Sequence, residues 1–241
     1  MLYRIMRDFK FTNNEFYHIY NRGVEKRSIF SQQRDYYRFI SCLFEFNSIV
    51  PSTNHSYHFN FKNKENIRNS TPLIEIMAFC LMPNHFHLLA KQAVDNGITI
   101  FMRKLGTGYT NYFNLKYERV GPLFQGKFKA KHIDNDSYMF YLPHYIHLNP
   151  LEITTPSWQE NSNNIDSKKL ISQLKSYKWN SLSDYLGKSN FPGLVSTEFI
   201  TDLYRSPTSI TSSTSTTNYE NHLDDWIKNF SLDSIKEVVI D

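Results

Sequence analysis

The chain has 241 residues and a formal net charge of +4, enough for one domain with appendages or two small domains around a sizeable buried core. Two cysteines, Cys42 and Cys80, exclude a disulfide framework and a Cys-rich zinc site. No apolar run reaches membrane-spanning length, and Met1–Asp8 is too short and too charged for a signal peptide, so a soluble, cytoplasmic protein with no membrane partner is expected.

Charge is unevenly spread. Residues 220–241 hold six carboxylates and two lysines, a local charge of −4, so residues 1–219 carry +8. A basic body suits a polyanion. Aromatic residues make up 16 % of the chain and serve either as core or as platforms for unpaired bases.

Glu15–Tyr20 reads as the first strand, ended by the turn Asn21-Arg22-Gly23. Arg22, Lys26 and Arg27 cluster there, as phosphate contacts or as a solvated loop. Arg34–Phe46 has a broad apolar side and predicts a helix beginning near Ser31 or Gln32. Residues 51–71 are polar and read as an inserted loop. Leu73–Cys80 is the second strand, Leu81–Asn84 turns it, and His85–Lys91 returns antiparallel. Ile98–Tyr117 predicts a long helix, weakened locally by Gly106 and Gly108. Its Arg103 and Lys104 are candidate DNA contacts, although charged solvent faces are commoner.

Phe128–Ile133 is the last predicted strand, flanked and striped by Lys127, Lys129 and Lys131. That stripe suits phosphate contact; edge strands also carry lysine to block aggregation. Asp134 or Asp136 is the expected N-cap of the next helix. Residues 153–169 read as a second inserted loop, and 170–187 are amphipathic again. Beyond a body of 1–190 come an extension over 191–205, a Ser/Thr-rich linker over 206–219 and an acidic amphipathic helix within 220–241. Because the linker buries no apolar surface, everything from Pro207 onward is expected to be dispensable for folding. The element order predicts an α+β fold: a ferredoxin-like βαββαβ core with an antiparallel sheet, one further helix and peripheral insertions.

Two stretches carry chemistry. In Met82-Pro83-Asn84-His85-Phe86-His87-Leu88, the histidines stand two apart in a strand and project to one face, with Phe86 on the other. Paired imidazoles hold a divalent metal, or else are two hydrogen-bonded, half-buried histidines. A barrel of the amidohydrolase type would need repeated strand–helix units, which are absent. In Tyr141-Leu142-Pro143-His144-Tyr145-Ile146-His147-Leu148-Asn149-Pro150, helical spacing puts Tyr145 and Asn149 one turn apart on one face. Tyr145 offers a phenolic nucleophile and Asn149 an amide oxygen as third metal ligand. Pro143 should kink this helix or shift its start, which keeps Tyr141, one turn back, as a reserve nucleophile. His144 and His147 point away from the Tyr145 face.

Together these stretches resemble the single-tyrosine transposases of the His-hydrophobe-His endonuclease superfamily, in particular the REP-associated tyrosine transposases and related small insertion-sequence transposases. The resemblance covers about the first 190 residues. It runs in order through Tyr17-His18-Ile19-Tyr20-Asn21-Arg22-Gly23, Ala78-Phe79-Cys80-Leu81-Met82-Pro83-Asn84-His85-Phe86-His87, Tyr112-Phe113-Asn114, Gly121-Pro122-Leu123-Phe124-Gln125-Gly126, Tyr145 to Pro150, and Trp179-Asn180-Ser181-Leu182 with Tyr185-Leu186-Gly187. It implies the same ferredoxin-like core with a catalytic-tyrosine helix. It also implies Mg²⁺ or Mn²⁺ as cofactor, single-stranded or hairpin DNA as partner, room for a homodimer, and a covalent 5′-phosphotyrosine with a free 3′-hydroxyl. The rivals are a noncatalytic binder of hairpin DNA or RNA that retains the fold, and a small-substrate metal hydrolase, which would leave Tyr145 and the basic body without a role.

Overall fold

A computed structural model describes residues 10–50, 71–156, 158, 166–204 and 215–229. Most of the predicted 51–71 insertion and of the 206–219 linker lies outside these residues. In chain order the elements are β1 (Phe16–Arg22), a 3-10 turn (Val24–Lys26), α1 (Gln33–Glu45), β2 (Ile74–Met82), β3 (His85–Gln92), α2 (Gly97–Lys116) and β4 (Lys129–His132). They continue with α3 (Asp136–Leu148), α4 (Leu151–Thr154), α5 (Ser167–Ser176), α6 (Leu182–Tyr185), α7 (Glu198–Leu203) and α8 (Ser215–Lys228).

The sheet order is β2-β3-β1-β4. β1 and β4 run antiparallel, with Tyr17 opposite His132 and Tyr20 opposite Lys129. Gln92 N–H donates to Glu15 O and Gly23 N–H to Asn84 O, so the ends of β1 and β3 also pair in opposite directions. β2 and β3 are joined by only Pro83 and Asn84, which forces an antiparallel hairpin. Each crossover, through α1 and through α2, passes over one intervening strand. This is the α+β, ferredoxin-like βαββαβ arrangement, as the element order predicts.

Contacts gather into two compact units, one built from residues 1–75, 83–85 and 90–132, the other from 76–82, 86–89 and 133–241. In the first, α1 and α2 pack through Phe39, Ile40, Leu43, Phe101, Leu105 and Tyr109, all at most 1 % exposed. Asp35 locks the pair: as the partner of cap residue Gln32 it accepts from the Ser31 and Gln32 N–H groups. It also accepts from Tyr112 Oη, Tyr117 Oη and Lys116 Nζ. These bonds hold its carboxyl below the ordinary range although burial pushes the other way. Gly108 sits inside α2 because a Cβ there would come 2.5 Å from the Phe46 ring.

In the second unit, Leu142 and Ile146 of α3, Tyr185 of α6, Ile200 of α7, and Tyr219, Leu223 and Ile227 of α8 are all fully buried. Residues 179–181 lie antiparallel beside β2, through the Cys80–Asn180 bridge and the bonds Leu81 N–H to Trp179 O and Ser181 N–H to Phe79 O.

Several expectations need correction. β1 continues through Arg22, so Asn21 and Arg22 are strand residues and the break comes at Gly23. There a Cβ would lie 2.2 Å from Arg27 O. β4 is shorter than predicted, Lys129–His132, and leaves Phe128 and Ile133 outside it. α3 runs on through Pro143 as one helix from Asp136 to Leu148. The C-terminal helix begins at Ser215, inside the predicted linker, and buries Tyr219, Leu223 and Ile227. Compositional reading failed here because three apolar residues at four-residue spacing are enough to seat a helix that is otherwise polar. No helix among the described residues is long and apolar enough to cross a membrane.

Candidate active site

β3 places His85 and His87 on one side and Phe86 and Leu88 on the other. His85 is 8 % exposed and His87 4 %. The turn before them cannot adopt the usual two-residue hairpin geometry, because proline cannot reach a positive φ and Asn84 does not adopt one. Backbone bonds from outside hold it instead: Ile29 and Phe30 N–H donate to Pro83 O, Gly23 N–H donates to Asn84 O, and Asn84 Nδ2 donates to Lys26 O. That last bond fixes the amide orientation, so Asn84 Oδ1 faces His85 Nδ1 at 2.7 Å. An amide oxygen only accepts, so Nδ1 of the neutral imidazole carries the proton and Nε2 keeps its lone pair. The Gly23 loop therefore sets both the aim and the tautomer of His85. Sequence reading saw Arg22, Lys26 and Arg27 in this loop but not that role.

The tyrosine helix is N-capped by Asn135, between the two aspartates predicted for the task; its Oδ1 accepts from Tyr138 N–H at 2.7 Å. Tyr141 and Tyr145 are half-buried on one side of α3. The rings of Tyr145 and His87 meet edge to face, 5.6 Å between centroids and 85° between planes. One turn on, Asn149 Nδ2 donates to Tyr145 O at 2.8 Å. Only the NH₂ end can make that bond, so the oxygen end is identified by chemistry. Asn149 Oδ1 is buried with no hydrogen-bond partner among the described residues. An amide oxygen buried without a donor is costly unless something else meets it.

The opposite side of α3 is occupied differently. His147 Nδ1 lies 2.6 Å from Tyr219 Oη and its Nε2 2.8 Å from Ser181 Oγ. His144 Nδ1 lies 3.2 Å from Tyr204 Oη, and its ring stacks on Tyr219 at 5.0 Å. Burial lowers His144 to about 3 and pushes His147 well below the ordinary histidine range, so both are neutral at pH 7. Their turn away from the Tyr145 face is as helix geometry requires. Ser181, Tyr204 and Tyr219 were not singled out from sequence as partners of this helix. Ser181 lies 34 residues and Tyr219 72 residues beyond His147, and no local pattern links them.

Among the described residues no three His, Cys, Asp or Glu side chains form a metal cluster. Within the second unit, the buried and unpartnered Asn149 Oδ1 offers a lone pair of the kind that suits a hard cation. The basic candidates have separate local settings. Arg22 ends β1. Lys26 is exposed, and Arg27 pairs with Glu25 at 2.8 Å. Arg103 is exposed on α2, whereas Lys104 Nζ donates to Ser48 O at 2.7 Å. Lys127 is exposed, Lys129 lies 5.8 Å from the Tyr20 ring centroid, and Lys131 pairs across the sheet with His18. Burial, then the Lys131 charge, lowers His18 to about 3.

A family model described as Transposase IS200 like matches residues 53–149, a span that includes His85, His87, Tyr145 and Asn149. Among curated proteins none matches the chain. Among solved structures the chain is similar to a REP-associated tyrosine transposase bound to a REP hairpin, with 12 % identity and a TM-score of 0.48 over 87 % of this chain and 99 % of that one. Over residues 53–149 the chain is similar to the IS200-like transposases.

Proposed function

We propose that this protein is a transposase that cleaves and rejoins single-stranded DNA at hairpin ends, with Tyr145 as nucleophile and His85, His87 and Asn149 holding Mg²⁺ or Mn²⁺. The observation that carries the reading is the edge-to-face seat of Tyr145 on His87, with the unpartnered Asn149 Oδ1 one turn along the same helix. When bound, the cation polarises a nonbridging phosphate oxygen and orients the scissile phosphate.

The chain's own residues do the rest. Tyr145 Oη forms a bond to phosphorus as the bond from phosphorus to the 3′-oxygen breaks. The phenol proton passes, in net terms, to that oxygen, leaving a 3′-hydroxyl and a 5′-phosphotyrosine. Bond energy is kept in the covalent link, so a second 3′-hydroxyl can reverse the step on another strand without ATP. His147, with both nitrogens engaged, and His144, buried on the other side of the helix, are not placed to take the proton. Lys127, Lys129, Lys131, Arg22, Lys26, Arg27 and Arg103 supply phosphate contacts, and Lys104 does so only by releasing Ser48.

The test is to incubate the protein with labelled hairpin DNA taken from the flanks of its own gene and Mg²⁺, then denature it. A band of protein joined to the 5′-phosphate of the downstream fragment is expected. Binding without any covalent species, with either metal, would favour the noncatalytic binder.

A further inference from the structure

His147 joins three parts of its unit. It bridges Tyr219 of α8 and Ser181, and Ser181 Oγ accepts from Phe79 N–H of β2 at 2.9 Å. One arrangement of protons satisfies every group. Tyr219 O–H donates to Nδ1, Nε2–H donates to Ser181 Oγ, and Ser181 O–H is left for Phe79 O at 3.3 Å. The chain of bonds thus runs from the C-terminal helix, through α3, to the strand whose hairpin partner carries the histidines. His147 is roughly 160° around α3 from Tyr145, so a rotation or slide of the helix that breaks these bonds swings the phenol as well. The back of α3 carries one more polar tie, His144 Nδ1 at 3.2 Å from Tyr204 Oη, and the other side chains there, Leu142, Ile146, Leu223 and Ile227, are fully buried and pack without directional bonds. A hydrogen-bonded bridge fixes register where apolar contact alone leaves it loose.

We propose that Tyr219 and Ser181 are positioning residues for the nucleophile: through His147 they fix the rotation of α3 and hence the aim of Tyr145, so the C-terminal helix is part of the machinery for strand cleavage without touching DNA. This rests on the reading of Tyr145 as nucleophile. Productive attack tolerates little misplacement, and an error of about 1 Å costs on the order of a hundredfold in rate.

The experiment uses the full chain and the variants Tyr219→Phe, Ser181→Ala and Ile227→Val. Two quantities are read: the single-turnover rate of adduct formation at saturating hairpin DNA, and the proton shifts of the His87 imidazole in metal-free protein, which report the position of the neighbouring Tyr145 ring. Tyr219→Phe and Ser181→Ala are expected to slow adduct formation about tenfold to a hundredfold with DNA affinity unchanged, and to move the His87 signals. Ile227→Val lowers stability from the same helix and is expected to leave both readouts at wild-type values. Wild-type rates and unmoved His87 signals in Tyr219→Phe and Ser181→Ala would overturn the proposal. Equal effects in Ile227→Val would also overturn it, since they would mark a loss of general stability. Absence of any adduct from the wild-type protein would instead sink the nucleophile assignment, while the His87 signals would still show whether Tyr219 sets the Tyr145 ring.

Discussion

Asn149 spends its amide nitrogen on the carbonyl oxygen of Tyr145, 2.8 Å away, and leaves its oxygen buried and unpartnered. The residue proposed to hold the cation is thereby tied to the backbone of the proposed nucleophile. Asn149→Ala is expected to weaken Mn²⁺ binding by about tenfold, or 1.4 kcal/mol, less than loss of a histidine, because water can replace an amide oxygen. Calorimetric titration measures it. An unchanged affinity would return the orphan oxygen to a purely structural role.

His85→Ala and His87→Ala are each expected to abolish measurable Mn²⁺ binding and strand cleavage while the protein stays folded. Asn84→Ala should preserve both imidazoles yet weaken the metal about tenfold to a hundredfold, since His85 Nδ1 loses the acceptor that fixes its tautomer. Wild-type calorimetry in both histidine variants would turn the pair back into ordinary strand residues.

Much of this was legible beforehand. Alternation around His85, Phe86 and His87 and four-residue spacing of Tyr145 and Asn149 are local patterns, and local patterns survive folding. The Leu223 and Ile227 face was legible too, as an amphipathic stripe. Its docking place was not, because a stripe states that a surface is buried and not what covers it. The same holds for the Gly23 loop around Pro83 and Asn84: those contacts join residues some sixty apart, for example Asn84 to Lys26 across 58 positions. The orphan state of Asn149 Oδ1 is a property of packing alone.

Leu223 and Ile227 are fully buried, so the helix that carries them is expected to be needed for folding. Leu223→Ala is expected to destabilise the protein by about 2–5 kcal/mol in urea melts. Deleting residues 215–241 should lower its soluble yield sharply. A truncated protein with the wild-type melting midpoint would restore the view of α8 as an appendage.

Acid should destabilise the fold earlier than carboxylate titration alone requires. His18 and His144 are lowered to about 3 and His147 is lowered strongly, so the folded state keeps them neutral while the unfolded chain takes up protons below about pH 6.5. Their contribution is complete above pH 6.5 and is lost as pH falls from there towards 3. At pH 5 the loss is about 2 kcal/mol for His18 and the same for His144, with His147 adding in the same direction. Urea midpoints measured from pH 7.5 to 5 should fall steadily, and His144→Gln should flatten the slope by about 1.4 kcal/mol per pH unit. A midpoint flat over this range would mean that these imidazoles are not buried neutral.

The central claim is that Tyr145, and not its neighbour one turn back, attacks DNA. Wild type, Tyr145→Phe and Tyr141→Phe should be compared on the same labelled hairpin with Mg²⁺, scoring the covalent protein–DNA band. Each substitution removes one hydroxyl and leaves packing nearly unchanged. The expected result is an adduct with wild type and Tyr141→Phe, none with Tyr145→Phe, and equal gel shifts from all three. An adduct that persists in Tyr145→Phe and disappears in Tyr141→Phe would contradict the account and move the nucleophile one turn back along α3.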